Sequence, residues 1–335
     1  MKMNSTDLEV LQKILQWQRE GYCATLTTVV KTWGSSPRPI GSLLAIRADG
    51  QLAGSVSGGC IEADLIERIH AAMPTRPEVL TYGGCAEACQ RFSLPCGGTL
   101  QLILEPAPPA PLLQSILDAI TQRKSIGRRL DIQTGETELY VPHADEITTF
   151  VRQTLSTVHG PRWRLLLIGA GQISRYLAQI AQTLDYQIQI CDPREEYRAS
   201  WDIAGAELLS GMPDDIVKTF NPDTQSAILA LTHDPKLDDL ALLEALKSPA
   251  FYIGALGSRA NNIKRRERLG LFDLSETEIS RLHGPVGLPI GSRTPPEIAI
   301  SILAELTAIR HGIELRITTT PPLKPLLQQP VSAIS

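Results

Sequence analysis

Between Asp7 and Glu20, apolar residues at Leu8, Leu11, Ile14 and Leu15, together with Trp17, recur at helical spacing until Gly21 ends the run. This predicts a leading helix. Alternating or β-rich stretches follow at 24–32, 42–47, 79–82 and 99–104, separated by Gly and Pro clusters and interrupted by one helical pattern over 61–72. Residues 1–106 therefore predict a small mixed α+β domain. Pro106, Pro108, Pro109 and Pro111 open a stretch without clear periodicity, 107–160, expected to be a connecting segment. After Pro161 the pattern changes to apolar runs at 163–168, 188–191, 227–231 and 251–255, each followed by a helical segment. That alternation predicts an α/β fold with a Rossmann-like, doubly wound parallel sheet over 161–313. Its last helix starts at Thr294-Pro295-Pro296-Glu297, where Thr294 is placed to cap and Glu297 to complete a capping box. The remainder, 314–335, is rich in proline and polar residues and is expected to be a flexible tail.

Composition changes this picture little. The 335 residues are 43% hydrophobic and 20% charged, ordinary for two globular domains. A net charge of -4 supplies no field that would draw in nucleic acid or an anionic membrane, so an anionic ligand must be held by local groups. The densest basic run, Lys264 to Arg268, is expected to be the solvated face of a helix. No stretch reads as a membrane span or a signal-peptide core, and six cysteines are too few for a disulfide scaffold, so the expected location is the cytoplasm.

The strongest local motif is LLLIGAGQIS, a strand running through Gly169-Ala170-Gly171 into a helix. Gly169 permits the tight turn, Gly171 lets the backbone approach a pyrophosphate, and the helix start presents free N–H groups. Asp192, 21 residues after Gly171, is placed to bind a ribose hydroxyl, and Arg194 leaves a 2′-phosphate possible. Ser174 departs from the Gly or Ala usual at the third fingerprint position and adds a hydroxyl that needs a partner. His233 stands at a strand end, either shuttling a proton or simply bonded to its neighbour Asp234. Ser258 and Arg259, and likewise Arg293, belong to two Gly-Ser-Arg tripeptides that can hold a phosphate or merely cap helices. No Tyr-x-x-x-Lys pair marks a hydride-transfer site.

In the first domain, Ser57-Gly58-Gly59-Cys60 precedes a helix, so backbone amides face a possible anion and the helix dipole favours a thiolate. A buried cysteine in a tight glycine turn is the structural alternative. Cys96 is followed by two glycines, and Ser35, Ser36 and Arg38 supply hydroxyls and a guanidinium suited to phosphate. Cys85, Cys89 and Cys96 have the spacing C-x3-C-x6-C, which matches neither structural zinc nor the usual iron–sulfur runs.

The blocks TWGSSPRPIGSLLAIRADG, GSVSGGCIEADL, LPCGGTLQLILEP, LLLIGAGQIS, THDPKLDDLALLEAL, YIGALGSRANNIKRRERL and GLPIGSRTPPEIAISILAELTAIRHG resemble the XdhC/CoxI family of xanthine dehydrogenase accessory proteins, from about Ala24 to Gly312. The resemblance implies a cytoplasmic chaperone, not a turnover enzyme, that binds the molybdenum cofactor (molybdopterin) as cargo and supports its sulfuration by a cysteine desulfurase. Delivery to a xanthine-dehydrogenase-type molybdoenzyme and a homodimeric state are also implied. By position, Cys60 and Cys96 match the family's thiol motifs, and Ser35, Ser36 and Arg38 match the block before them. Cys85 and Cys89 have no counterpart in those motifs. Two alternatives remain at this point: an NAD(P)-dependent oxidoreductase built on the Rossmann-like domain, and a redox or metal adaptor built on the cysteines.

Overall fold

The computed structural model describes residues 5–33, 38–83, 99–143 and 146–313, and the chain divides into two compact units, Met1–Trp163 and Arg164–Ser335. The first is built on an antiparallel sheet in the order β3-β2-β1-β5-β4, comprising β1 (Ala24–Trp33), β2 (Leu43–Arg47), β3 (Leu52–Gly54), β4 (Glu78–Gly83) and β5 (Thr99–Pro106). Side-chain alternation along β2 shows why both faces are covered. Leu43 and Ala45 pack with α1 (Ser5–Arg19) and α3 (Ala110–Thr121) on one face. Leu44 and Ile46 pack with α2 (Cys60–Ala71) on the other. Each such leucine or isoleucine, withdrawn fully from water, contributes roughly 1.5–3 kcal/mol.

The stretch 107–160 is not the connector expected from its prolines. Pro109 and Pro111 sit at the start of α3, where a missing N–H costs nothing, and Leu113, Ile116 and Ile120 form its buried stripe. The rest folds into a second antiparallel sheet, ordered β7-β6-β9-β8, from β6 (Ile126–Asp131), β7 (Thr137–Tyr140), β8 (Thr149–Val151) and β9 (Thr154–His159). Leu130, Ile132 and Leu155 pack there with Val30 and Ile103 of the first sheet. Charged residues on these short strands conceal the alternation. One of them, Arg128, is buried and forms a bidentate pair with Glu105 of β5, at 2.8 and 2.5 Å.

The second unit is the α/β fold the sequence predicts, a six-stranded sheet ordered β12-β11-β10-β13-β14-β15. Its strands are β10 (Trp163–Ile168), β11 (Tyr186–Cys191), β12 (Ala206–Leu209), β13 (Ser226–Ala230), β14 (Tyr252–Ala255) and β15 (Leu282–His283). β10 pairs parallel with β13, β11 with β12, β13 with β14, and β14 with β15. The order reverses at β10, placing a switch point at the carboxyl ends of β10 and β13. The two edge strands β12 and β15 are too short to declare themselves by periodicity.

Helices α6 (Pro213–Phe220), α7 (Pro235–Ala245) and α8 (Arg259–Leu269) close one core, while α4 (Gln172–Thr183) packs with α10 (Pro295–Arg310). The short helices α5 (Glu195–Ala199) and α9 (Glu276–Ser280) complete the unit. The basic run on α8 departs from expectation, because Arg265 is buried against Asp238 and Arg266 donates to the Leu282 carbonyl. Among the described residues, no helix is long and apolar enough to cross a membrane.

Candidate functional site

In the first unit, β3 runs into the 55–59 loop and Cys60 is the first residue of α2. Gly58 and Gly59 have φ of 89° and 140°, a backbone region that favours glycine, and a Cβ on either would meet nothing within 4 Å among the described residues. The glycines thus serve conformation and leave that side of the loop accessible. The loop amides, expected to face an external anion, are taken by the chain's own Glu62. Its Oε1 accepts from the N–H groups of Val56 (3.0 Å), Ser57 (2.9 Å) and Gly58 (3.2 Å), and its Oε2 from that of Gly59 (2.9 Å). The hydroxyls of Ser55 and Ser57 donate to the same carboxylate. Burial alone would raise the Glu62 pKa, but the Ser57 hydroxyl and amide and the Ser55 hydroxyl lower it to about 2. Glu62 is therefore an internal anion, a role that sequence reasoning misses because Glu62 occupies an ordinary third helical position. A small-residue loop followed by Glu at that position is the signal that could have found it.

The register of the sheet brings the ends of three other strands together. Trp33 pairs with Thr99, and Thr99 with Gly83, so the strand ends leading into 34–37 and bounding 84–98 stand side by side. Ser55 N–H donates to the Leu43 carbonyl at the same end of the sheet. Arg38 is half-buried in the turn that returns the chain to β2. Ser35, Ser36, Cys85, Cys89, Cys96 and the Cys60 side chain lie outside the described residues, as does the tail 314–335.

In the second unit, Gly169 adopts φ 112°, and a Cβ there would sit 3.0 Å from the backbone of Leu231 and Thr232. Gly171 precedes α4, and a Cβ there would meet nothing within 4 Å among the described residues. The Ser174 hydroxyl finds its partner locally, donating to the Gly169 carbonyl at 2.5 Å. Asp192 does not present itself to a ribose. It is fully buried, accepting from Ala170 N–H at 2.8 Å and from Arg194 through its N–H, Nε and Nη2 at 3.1, 2.9 and 2.7 Å. Burial opposes its charge, but Arg194 and the Ala170 N–H hold its pKa below the usual range. Arg194 also reaches the Thr232 carbonyl at 3.4 Å, spanning the end of the central strand β10. Cys191 beside it is buried, its thiol pushed up to about 12 chiefly by burial, which makes it chemically inert.

The remaining candidates separate into structural and open groups. Ser258 caps α8 by accepting from Asn261 N–H at 3.2 Å, and Glu297 accepts from the N–H groups of Arg293 and Thr294. Asp234 caps α7, accepting from Lys236 N–H at 2.9 Å, and not the neighbouring histidine. His233 and Arg259 are exposed and line a 760 Å³ cavity at the carboxyl ends of β13 and β14.

Comparison with known proteins agrees with this architecture. The model described as the XdhC and CoxI family matches residues 17–83, and the model described as the XdhC Rossmann domain matches residues 165–306. The molybdenum cofactor insertion chaperone PaoD of Escherichia coli (strain K12) is 29% identical over 312 residues, covering 90% of this chain and 88% of PaoD. A probable xanthine dehydrogenase subunit of Bacillus subtilis (strain 168) is 26% identical over 335 residues, covering 91% of this chain and 97% of that protein. A crystal structure described as a xanthine dehydrogenase from Bacillus halodurans has the same fold, with a TM-score of 0.74 at 23% identity over 95% of this chain and 98% of that one. With both of its units matched by the corresponding models, the chain belongs to the XdhC and CoxI family.

Proposed function

We propose that this protein is a molybdenum-cofactor chaperone that holds the cofactor (molybdopterin with its metal), supports its sulfuration by a cysteine desulfurase, and delivers it to a xanthine-dehydrogenase-type molybdoenzyme. The proposal extends to a homodimer acting in the cytoplasm. The observation that carries it is the 55–59 loop, which sets Cys60 at the head of α2 behind two glycines that are exposed among the described residues. A soft thiolate in such a place suits molybdenum or its terminal sulfur. The insertion function of the E. coli relative supports the same reading. Because Glu62 already fills the loop's amide nest, the cofactor's phosphate falls to groups other than these amides.

Anaerobic titration with molybdenum cofactor, with bound pterin read by fluorescence after oxidation, tests the proposal. Stoichiometric retention by the wild type, reduced at least tenfold in Cys60→Ala or Cys96→Ala, is the expected result (about 1.4 kcal/mol per tenfold). Equal retention by all three proteins would remove the thiols from the site. No retention by the wild type would remove the chaperone reading.

A further inference from the structure

The cavity beside β13 and β14 has walls fixed from behind by the chain itself. Ser301 of α10 donates to the Leu288 carbonyl at 2.6 Å, and Glu305 accepts from Gly287 N–H at 2.5 Å and from the Tyr252 hydroxyl at 2.7 Å. On the other side, Arg265 donates to the Leu256 carbonyl at 2.7 Å and to Asn262 at 2.9 Å, while pairing with Asp238. Asp238 in turn accepts from the Thr232 N–H and hydroxyl at 3.0 and 2.7 Å. Thr232, Asp238, Asn262 and Arg265 are thus consumed in shaping the cavity. His233 and Arg259 are left facing it, without side-chain hydrogen bonds among the described residues. His233 holds φ 60°, uncommon outside glycine, between two residues pinned in place, Thr232 and Asp234. The rest of the lining is largely apolar, with Ile173, Val286, Leu288 and Ile298 among it.

On the opposite side of the switch point the polar groups of the fingerprint are paired with one another. Asp192 and Arg194, which in a dinucleotide site would read the ribose and its 2′-phosphate, bind one another, and the Arg194 guanidinium reaches across the end of β10 to the Thr232 carbonyl. A cavity of 760 Å³ with apolar walls, one cation and one imidazole suits a ligand of half that length.

We propose that the second unit binds a single heteroaromatic ring carrying one phosphate, not a dinucleotide, with Arg259 pairing the phosphate and His233 bonding the ring edge. This assignment concerns the second unit alone and does not rest on the reading of the Cys60 loop. Two sources share the chemistry, a nucleoside monophosphate and a phosphorylated pterin.

Calorimetric titration of the full chain with AMP, GMP, CMP, a pterin monophosphate, adenosine, inorganic phosphate and NAD separates the possibilities. At least one monophosphate is expected to bind about tenfold or more tightly than adenosine and inorganic phosphate, and NAD no more tightly than AMP. Whichever monophosphate binds most tightly identifies the source. Arg259→Gln should abolish the preference for phosphorylated over unphosphorylated ring. His233→Asn, which tolerates the same backbone, should weaken the monophosphate severalfold and leave inorganic phosphate unchanged. Both side chains are exposed, so unchanged thermal unfolding controls for folding. The proposal is overturned if NAD binds tenfold more tightly than AMP, if phosphate alone competes as well as any monophosphate, if Arg259→Gln changes nothing, or if no monophosphate binds.

Discussion

Glu105 and Arg128 are among the least exposed charged residues of the first unit, and each is the other's bidentate partner. Burying two charges is favourable only while both remain, so losing one partner costs far more than losing the pair. Glu105→Gln is expected to lower unfolding free energy by about 3–5 kcal/mol. The double change Glu105→Leu with Arg128→Met should recover most of that loss, as read by equilibrium urea unfolding. Neither residue is legible as special in the sequence, because their partnership joins β5 to β6 across 23 positions. The same holds for Asp192 and Arg194. Their spacing suggests ribose and 2′-phosphate recognition, and only the fold shows that the two side chains satisfy each other.

Among the elements, the β10–α4 turn is the most legible, since Gly-x-Gly after an apolar strand leaves few alternatives. Its two small residues are not equivalent. Gly169→Ala places a methyl 3.0 Å from the Thr232 backbone at a φ of 112° and should cost about 2–3 kcal/mol. Ser174→Ala removes one hydrogen bond to the Gly169 carbonyl and should cost about 1 kcal/mol. Thermal unfolding of the two variants checks the order, and a larger loss for Ser174→Ala would contradict it. The main strands of both units are legible from alternation or from continuous apolar runs. The β6–β9 sheet is not, because its strands are three to six residues long and carry Arg128, Arg129 and Glu138. The candidate site is legible as motifs. Its internal anion, Glu62, is not, since a helix-start glutamate is common and its special partners are backbone amides.

For the molecule as a whole, acid stability depends on groups of opposite kind that shift in the same sense. His159 lies buried beside the Arg128 cation, and burial first, then that charge, lowers its pKa to about 3. The unfolded histidine takes up its proton near pH 6.5, so between pH 6.5 and 3 the unfolded state binds the extra proton and stability falls as pH falls. From pH 7 to 4.5 this residue should remove about 2–3 kcal/mol from the first unit. His159→Gln should flatten that slope in urea unfolding read by tryptophan fluorescence, to which the first unit contributes Trp17 and Trp33. An unchanged slope would mean that His159 titrates normally. Glu62, with its pKa lowered to about 2, adds a second loss that begins as pH falls through the ordinary carboxylate range, where the unfolded glutamate takes up its proton, and continues toward pH 2. Above that range the Glu62 carboxylate also determines when the 55–59 loop becomes ordered. Its amides are satisfied as the chain folds, so the conformational entropy of the loop is lost before any ligand arrives. If the proposed function holds, capture at Cys60 should be limited by diffusion and desolvation, with a rate that rises linearly with ligand concentration without reaching the plateau that an isomerising loop would impose.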